Sequence, residues 1–168
     1  MTEEERIYTS KIKFFGIFTF SDYYRFCYGW LMDETKIEDF EETKYTEKMV
    51  GDSKEIEVEW NCQKKLTDYF KEKIKIKMVI KRIKQVKIKK NGAEINTNEA
   101  EVEMKVEGSL LKDYQGKFEM TGFRKFLRSV YEKYIIPSTV EAFRAKVATE
   151  CDEFLSQAKA FLDLEGKK

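Results

Sequence analysis

Histidine is missing from this chain of 168 residues. Imidazole bases, histidine triads and imidazole metal ligands are therefore ruled out. The nucleophiles that remain are three cysteines, Cys27, Cys62 and Cys151. They are odd in number and far apart, and none forms a C-x-x-C pair. A disulfide framework or a cysteine-rich zinc site is not expected from that spacing. Each falls on the apolar side of its segment, where a cysteine acts as a small buried hydrophobe. The carboxylates alternate with apolar residues and so belong to a wet face beside lysines. A catalytic carboxylate pair instead needs burial or mutual repulsion to separate its two pKa values. Asp33-Glu34 and Glu41-Glu42 sit in polar sequence without the spaced oxygen ligands of a calcium loop. No phosphate-binding glycine motif and no G-x-S-x-G elbow occurs. The expectation is a protein that is not an enzyme and has no metal and no cofactor.

The other chemistry on offer is electrostatic. Residues 71–90 hold ten Lys or Arg and one acid, Glu72. Such a run could track a phosphate backbone. It carries no interleaved aromatics for base stacking, and acidic segments flank it in sequence. Nucleic acid is accordingly an unfavoured partner. Lys84, Lys87, Lys89 and Lys90 are the cations with fewest acids nearby, and they are the residues assigned to any nucleic-acid or anionic partner.

Three segments with period-two alternation must position these charges. In residues 54–60, Ile56, Val58 and Trp60 alternate with glutamates. In 71–81, Ile74, Ile76, Met78 and Ile80 alternate with lysines. In 99–108, Ala100, Val102, Met104 and Val106 alternate with mainly glutamates. Each is a strand with one packed and one wet face. The charge order is acidic, basic, acidic. An antiparallel meander would set the basic strand between the two acidic ones, where opposite charges attract across strands. Asn91-Gly92 is the type I′ hairpin signature and sets Lys89 against Glu94 and Ile88 against Ile95. Extending that register would put Ile80 opposite Glu103. A one-residue bulge is therefore expected within Asn96–Asn98 or Arg82–Gln85.

A first strand is expected over Arg6–Phe20, then a helix capped by Ser21 with the stripe Tyr23, Phe26, Cys27, Trp30 and Leu31. Nine aromatic residues fall between Phe14 and Trp30. Another strand should end at Val50, before a turn at Gly51–Ser53. Leu111–Met120 reads as a tight turn and a last strand. Phe123, Phe126, Leu127, Val130, Tyr131, Tyr134 and Ile135 share one helical face. Pro137 forces a break, and Ser138 can cap a restart. From there Val140, Phe143, Val147, Cys151, Phe154, Ala158, Phe161 and Leu162 make a stripe about seven turns long.

Together these elements make one α+β domain spanning residues 1–168. A curved antiparallel sheet packs on a long, kinked C-terminal helix. With 42% hydrophobic and 38% charged residues and a net charge of +1, the chain is long enough to bury a sizeable core. No stretch of 18 uncharged apolar residues occurs, and MTEEERIYTS does not read as a secretory leader. A cytoplasmic protein without a membrane span is expected.

The early strand Arg6–Phe20, the helix Ser21–Met32, the strand run Thr43–Met120 and the long helix Ser138–Leu164 resemble the START-like, helix-grip superfamily of lipid-transfer and ligand-binding proteins. That resemblance implies a non-enzymatic module holding a hydrophobic small molecule, or an apolar segment of a partner protein, between sheet and C-terminal helix. Tyr23, Phe26, Trp30, Trp60, Phe143, Val147 and Phe154 would line the site, with the hydroxyls of Tyr24 and Tyr28 to orient the ligand. A second likeness, carried by the alternating sheet and the hairpin Ile83–Thr97, is to phage-type tail-tube proteins. It implies a structural homo-oligomer assembled as a ring, tube or shell. A third reading is a ribosome- or RNA-associated factor docking through Lys71–Lys90.

Overall fold

A computed structural model describes residues 3–112, 114, 122–130, 133 and 137–166. The chain runs β1 (Glu3–Phe18), α1 (Phe20–Asp33), β2 (Asp39–Val50), β3 (Ser53–Lys65), β4 (Phe70–Lys90), β5 (Ala93–Lys112), α2 (Gly122–Val130) and α3 (Pro137–Gly166). The five strands form one curved antiparallel sheet in the order β1-β5-β4-β3-β2. The first strand thus closes beside the last, and the basic strand β4 is central.

The inner face is built from the alternating apolar residues. Ile56, Val58, Trp60 and Cys62 of β3 are buried with Ile74, Ile76, Met78 and Ile80 of β4, and with Ala100, Val102, Met104 and Val106 of β5. On α3 the buried residues are Val140, Val147, Cys151, Phe154, Leu155, Ala158 and Leu162; of the expected stripe Phe143 and Phe161 are only half-buried, and Leu155 is added. This stripe packs on β1 and β5 and against α1. Pro137 is the first residue of α3, where its missing N–H costs no helical hydrogen bond.

Local signals land close to their expected places. Asn91 and Gly92 both have positive φ, and Lys89 pairs with Glu94 and Ile88 with Ile95. The register then shifts by one residue between Lys81 and Lys84, where Arg82 has φ 58°, so that Ile80 faces Val102. β2 ends at Val50, as its apolar end suggested. The N-cap of α1 is Thr19, not Ser21, and its side chain makes no capping bond. The Thr19 hydroxyl instead pairs with that of Thr97 at 3.1 Å. A hydroxyl partner on the neighbouring hairpin takes the place of the free amide that a cap would bind. Leu111 belongs to β5, not to a turn. Ser138 lies inside the first turn of α3 rather than capping it. Residues 115–120, Tyr131, Tyr134 and Ile135 lie outside the described residues, as do the side chains of Lys90 and Phe123. On α2, Phe126 and Leu127 are exposed.

Candidate functional site

The outer face of the sheet carries charge in stripes, and the pattern extends beyond the three central strands. β1 presents Lys11 and Lys13, β5 mainly glutamates, β4 lysines, β3 glutamates, and β2 Lys44 and Lys48. Lys77 reaches Glu57 at 3.4 Å and Glu59 at 3.8 Å, Lys44 reaches Glu57 at 3.1 Å, and Lys11 pairs with Glu103. Lys44 and Lys77 hold the Glu57 carboxyl below its usual range, and Lys11 does the same for Glu103. A hollow of about 380 Å³ on this face is lined by Lys75, Lys77 and Lys105 together with Glu59 and Glu107. Towards the hairpin tip the partners thin out. Lys84 faces Glu99, Lys87 faces Asn96 and Lys89 faces Glu94.

On the inner face, the seven residues expected to line a ligand site occupy the packed layer between sheet and helices. Tyr23, Trp60, Val147 and Phe154 are buried; Phe26, Trp30 and Phe143 are half-buried. Most of their rings pack on other rings. Tyr23 and Phe26 both meet Phe161, at 6.0 and 4.8 Å between centroids, Trp30 meets Phe154 at 5.6 Å, and Phe143 meets Phe70 at 5.3 Å. Trp60 donates its Nε1–H to Glu42 at 3.0 Å, and the Tyr24 hydroxyl donates to the same carboxylate. Burial and the neighbouring Glu42 charge push the Tyr24 hydroxyl up to about 12. Glu42 stands directly opposite Trp60 in the β2–β3 register, just before the bulge between Glu42 and Lys44.

Beyond the N-terminus of α1 the inner face is less covered. A hollow of about 560 Å³ opens there, lined by Phe20, Ile56, Ile83 and Met49, with Ser21, Glu47, Asp52, Lys54, Lys84, Gln85 and Asn98 around them. Strand register explains its apolar floor. Glu47 faces Ile56, Met49 faces Lys54, and Lys54 faces Ile83 across the bulge of β4. Gln85, Asn98 and Phe18 form one row across β4, β5 and β1. Sequence reasoning missed this hollow because five separate elements, α1 and β2 to β5, contribute to it.

It also missed a charged cluster inside the fold. Lys64 of β3 and Glu72 of β4 are cross-strand partners on the inner parity, two positions beyond Cys62 and two before Ile74. The Lys64 ammonium donates to the Thr35 carbonyl at 2.7 Å and to Glu150 of α3 at 3.2 Å, and stands 3.5 Å from Glu72. Glu72 is fully buried, and among the described residues neither of its carboxyl oxygens makes a hydrogen bond; the Lys64 ammonium is an ion-pair neighbour only. Burial, and then the Glu150 carboxylate, push its carboxyl up to about 8 against the pull of Lys64. The signal was available in the sequence, since both residues break the apolar parity of their strands.

All three cysteines are free and buried. Burial pushes the Cys27 and Cys62 thiols up to about 12, and Cys151 higher still, which leaves them protonated and unreactive near neutrality. Among the described residues no three acidic or sulfur ligands are placed to hold a metal ion, and no helix is long and apolar enough to cross a membrane. Comparison of the chain with family models, with curated proteins and with solved structures returns no match.

Proposed function

We propose that this protein is a non-enzymatic binding module of START-like, helix-grip build, which takes a hydrophobic small molecule or an apolar partner segment on the inner face of its sheet. The observation that carries this reading is the hollow at the end of α1. Its volume of about 560 Å³ is within the range of small-molecule sites, and Phe20, Ile56 and Ile83 give it an apolar floor, with the exposed Met49 and polar groups at the rim. The strand order, with β1 beside β5 and a long C-terminal helix over the inner face, supports the helix-grip resemblance. The aromatic layer of Tyr23, Phe26, Trp30, Trp60, Phe143, Val147 and Phe154 would then back the site and hold sheet and helices together.

The test is native mass spectrometry after gentle purification, on wild type and on Gln85→Trp, which places a large ring in the hollow. A non-protein mass of several hundred daltons on the wild type, lost in Gln85→Trp, is expected. A bare wild-type mass, together with no uptake of an added apolar fluorophore, overturns the reading.

A second reading, assembly of like subunits, is favoured by the apolar tip of the β2–β3 hairpin, where Met49 and Val50 are 67% and 53% exposed. Sedimentation velocity decides it, because a strictly monomeric particle at high concentration rejects it. Docking to RNA is the weakest of the three readings, since Lys77 already faces Glu59 of β3, and Lys75 and Lys81 face Glu107 and Glu101 of β5.

A further inference from the structure

The inner cluster has an unusual balance of charge. It contains two carboxyl groups, Glu72 and Glu150, and one ammonium, Lys64. It is neutral only when the two carboxyls share one extra proton. Glu150 is partly exposed and can turn towards water, whereas Glu72 is wholly enclosed. The groups facing Glu72 come from every element around it. β3 supplies Lys64, α3 supplies Glu150 and the Cys151 thiol, and β5 supplies the apolar Leu110. The segment after α1 contributes the Thr35 carbonyl, which holds Lys64 in place. Cys62 and Asp152 lie close enough to raise the Cys151 thiol.

Water cannot reach Glu72 while α3 stays docked. At Gly108 the helix lies so close to β5 that an added Cβ would stand 2.6 Å from Cys151 Sγ and 2.8 Å from Val147 Cγ1. An ionised Glu72 would lack both solvent and hydrogen-bond donors, apart from an ammonium already held by two other acceptors. Burial of a charge in that state is strongly unfavourable. Relief by hydration requires α3 to move: turning Glu150 outward removes its repulsion and frees Lys64, but leaves Glu72 without solvent beneath the helix.

We propose that Lys64, Glu72 and Glu150 form a proton-operated clasp between the sheet and α3. One shared proton holds it shut, and loss of that proton to water lets α3 lift from the ends of β3 and β4. The clasp is a conformational device of the fold and does not depend on which ligand, if any, the inner face takes.

Two measurements test it. In the first, carbon-detected NMR follows the Glu72 side-chain carboxyl of the wild-type protein through a pH titration. A midpoint at least two pH units above that of the exposed glutamates is expected. A midpoint less than two pH units above theirs overturns the proposal. In the second, iodoacetamide labelling of Cys62 and Cys151 is read by peptide mapping, wild type against Glu72→Gln at each pH. Dividing by the variant removes the intrinsic ionisation of the thiols. The wild-type to variant ratio should rise about tenfold between pH 6 and pH 9, and a flat ratio overturns the clasp. Should Glu72→Gln fail to fold, Glu150→Gln serves in its place. It too leaves one carboxylate for one ammonium, so it should abolish the rise.

Discussion

Gly108 of β5 and Cys151 of α3 touch so closely that a methyl group on Gly108 would meet the Cys151 sulfur at 2.6 Å. This contact sets the distance between helix and sheet. Gly108→Ala should therefore destabilise the protein by about 1–3 kcal/mol, the usual cost of overpacking a filled core. Gly29, in the middle of α1, is the control. Nothing lies within 4 Å of a Cβ built there. Gly29→Ala should stabilise by about 0.5–1 kcal/mol through helix propensity alone. Urea denaturation of the two variants checks both signs.

The outer face predicts an asymmetry between two lysines. Lys77 serves Glu57 and Glu59, and Lys77→Glu should cost about 0.5–1 kcal/mol, with most of the loss removed by high salt. Lys105 interrupts the acidic stripe of β5 and stands opposite Lys11 on one side and Lys77 on the other. Among the described residues its ion-pair partner is Glu107, at 3.0 Å. Lys105→Glu exchanges that contact for two complementary cross-strand pairs, and should raise stability by a few tenths of a kcal/mol. Chemical denaturation at low and high salt separates the two variants.

Two positive-φ positions on the long hairpin should respond in opposite directions. Gly92 has φ 80° in the turn, so Gly92→Ala should cost about 1 kcal/mol or more. Arg82 carries a full side chain at φ 58° in the bulge. Arg82→Gly should relieve that strain and come out neutral to stabilising by up to about 1 kcal/mol. Thermal unfolding monitored by circular dichroism reads both.

Stability should peak in mildly acidic solution. Lys44, Lys11 and Lys105 hold the carboxyls of Glu57, Glu103 and Glu107 below the reference value of 4.5. Groups lowered by folding contribute stability above that reference, and lose it as pH falls through their folded values. Glu72 is raised by folding, so its contribution is complete below 4.5 and is lost as pH climbs towards about 8. Urea midpoints measured from about pH 3 to pH 9 should pass through a maximum near pH 5. In Glu72→Gln the decline on the alkaline side should flatten, and the acid side should stay unchanged.

Most of the fold is legible because it rests on short-range rules. Period-two alternation assigns Ile76 inwards and Lys77 outwards whatever the strand packs against. Asn91-Gly92 imposes its turn through its own backbone preference, and the mismatch of Ile80 with Glu103 calls for a bulge before any tertiary contact is known. The helix N-cap was less legible, since Ser21 and Thr19 are equally good caps locally. The hairpin carrying Thr97 marks which one sits at the boundary.

By itself, the amino-acid sequence determined the faces of the strands, the central place of the lysine-bearing strand, the hairpin and its bulge, and the apolar stripe of the C-terminal helix. Each follows from residue type at fixed local spacing. Only the tertiary structure decided that Lys64 meets Glu150, 86 positions further along the chain, and that Phe20, Met49 and Ile83 enclose one hollow. Those meetings depend on how far each strand extends, where a bulge turns it, and how closely α3 can approach a glycine. Such distances arise from packing the whole chain, and no local pattern encodes them.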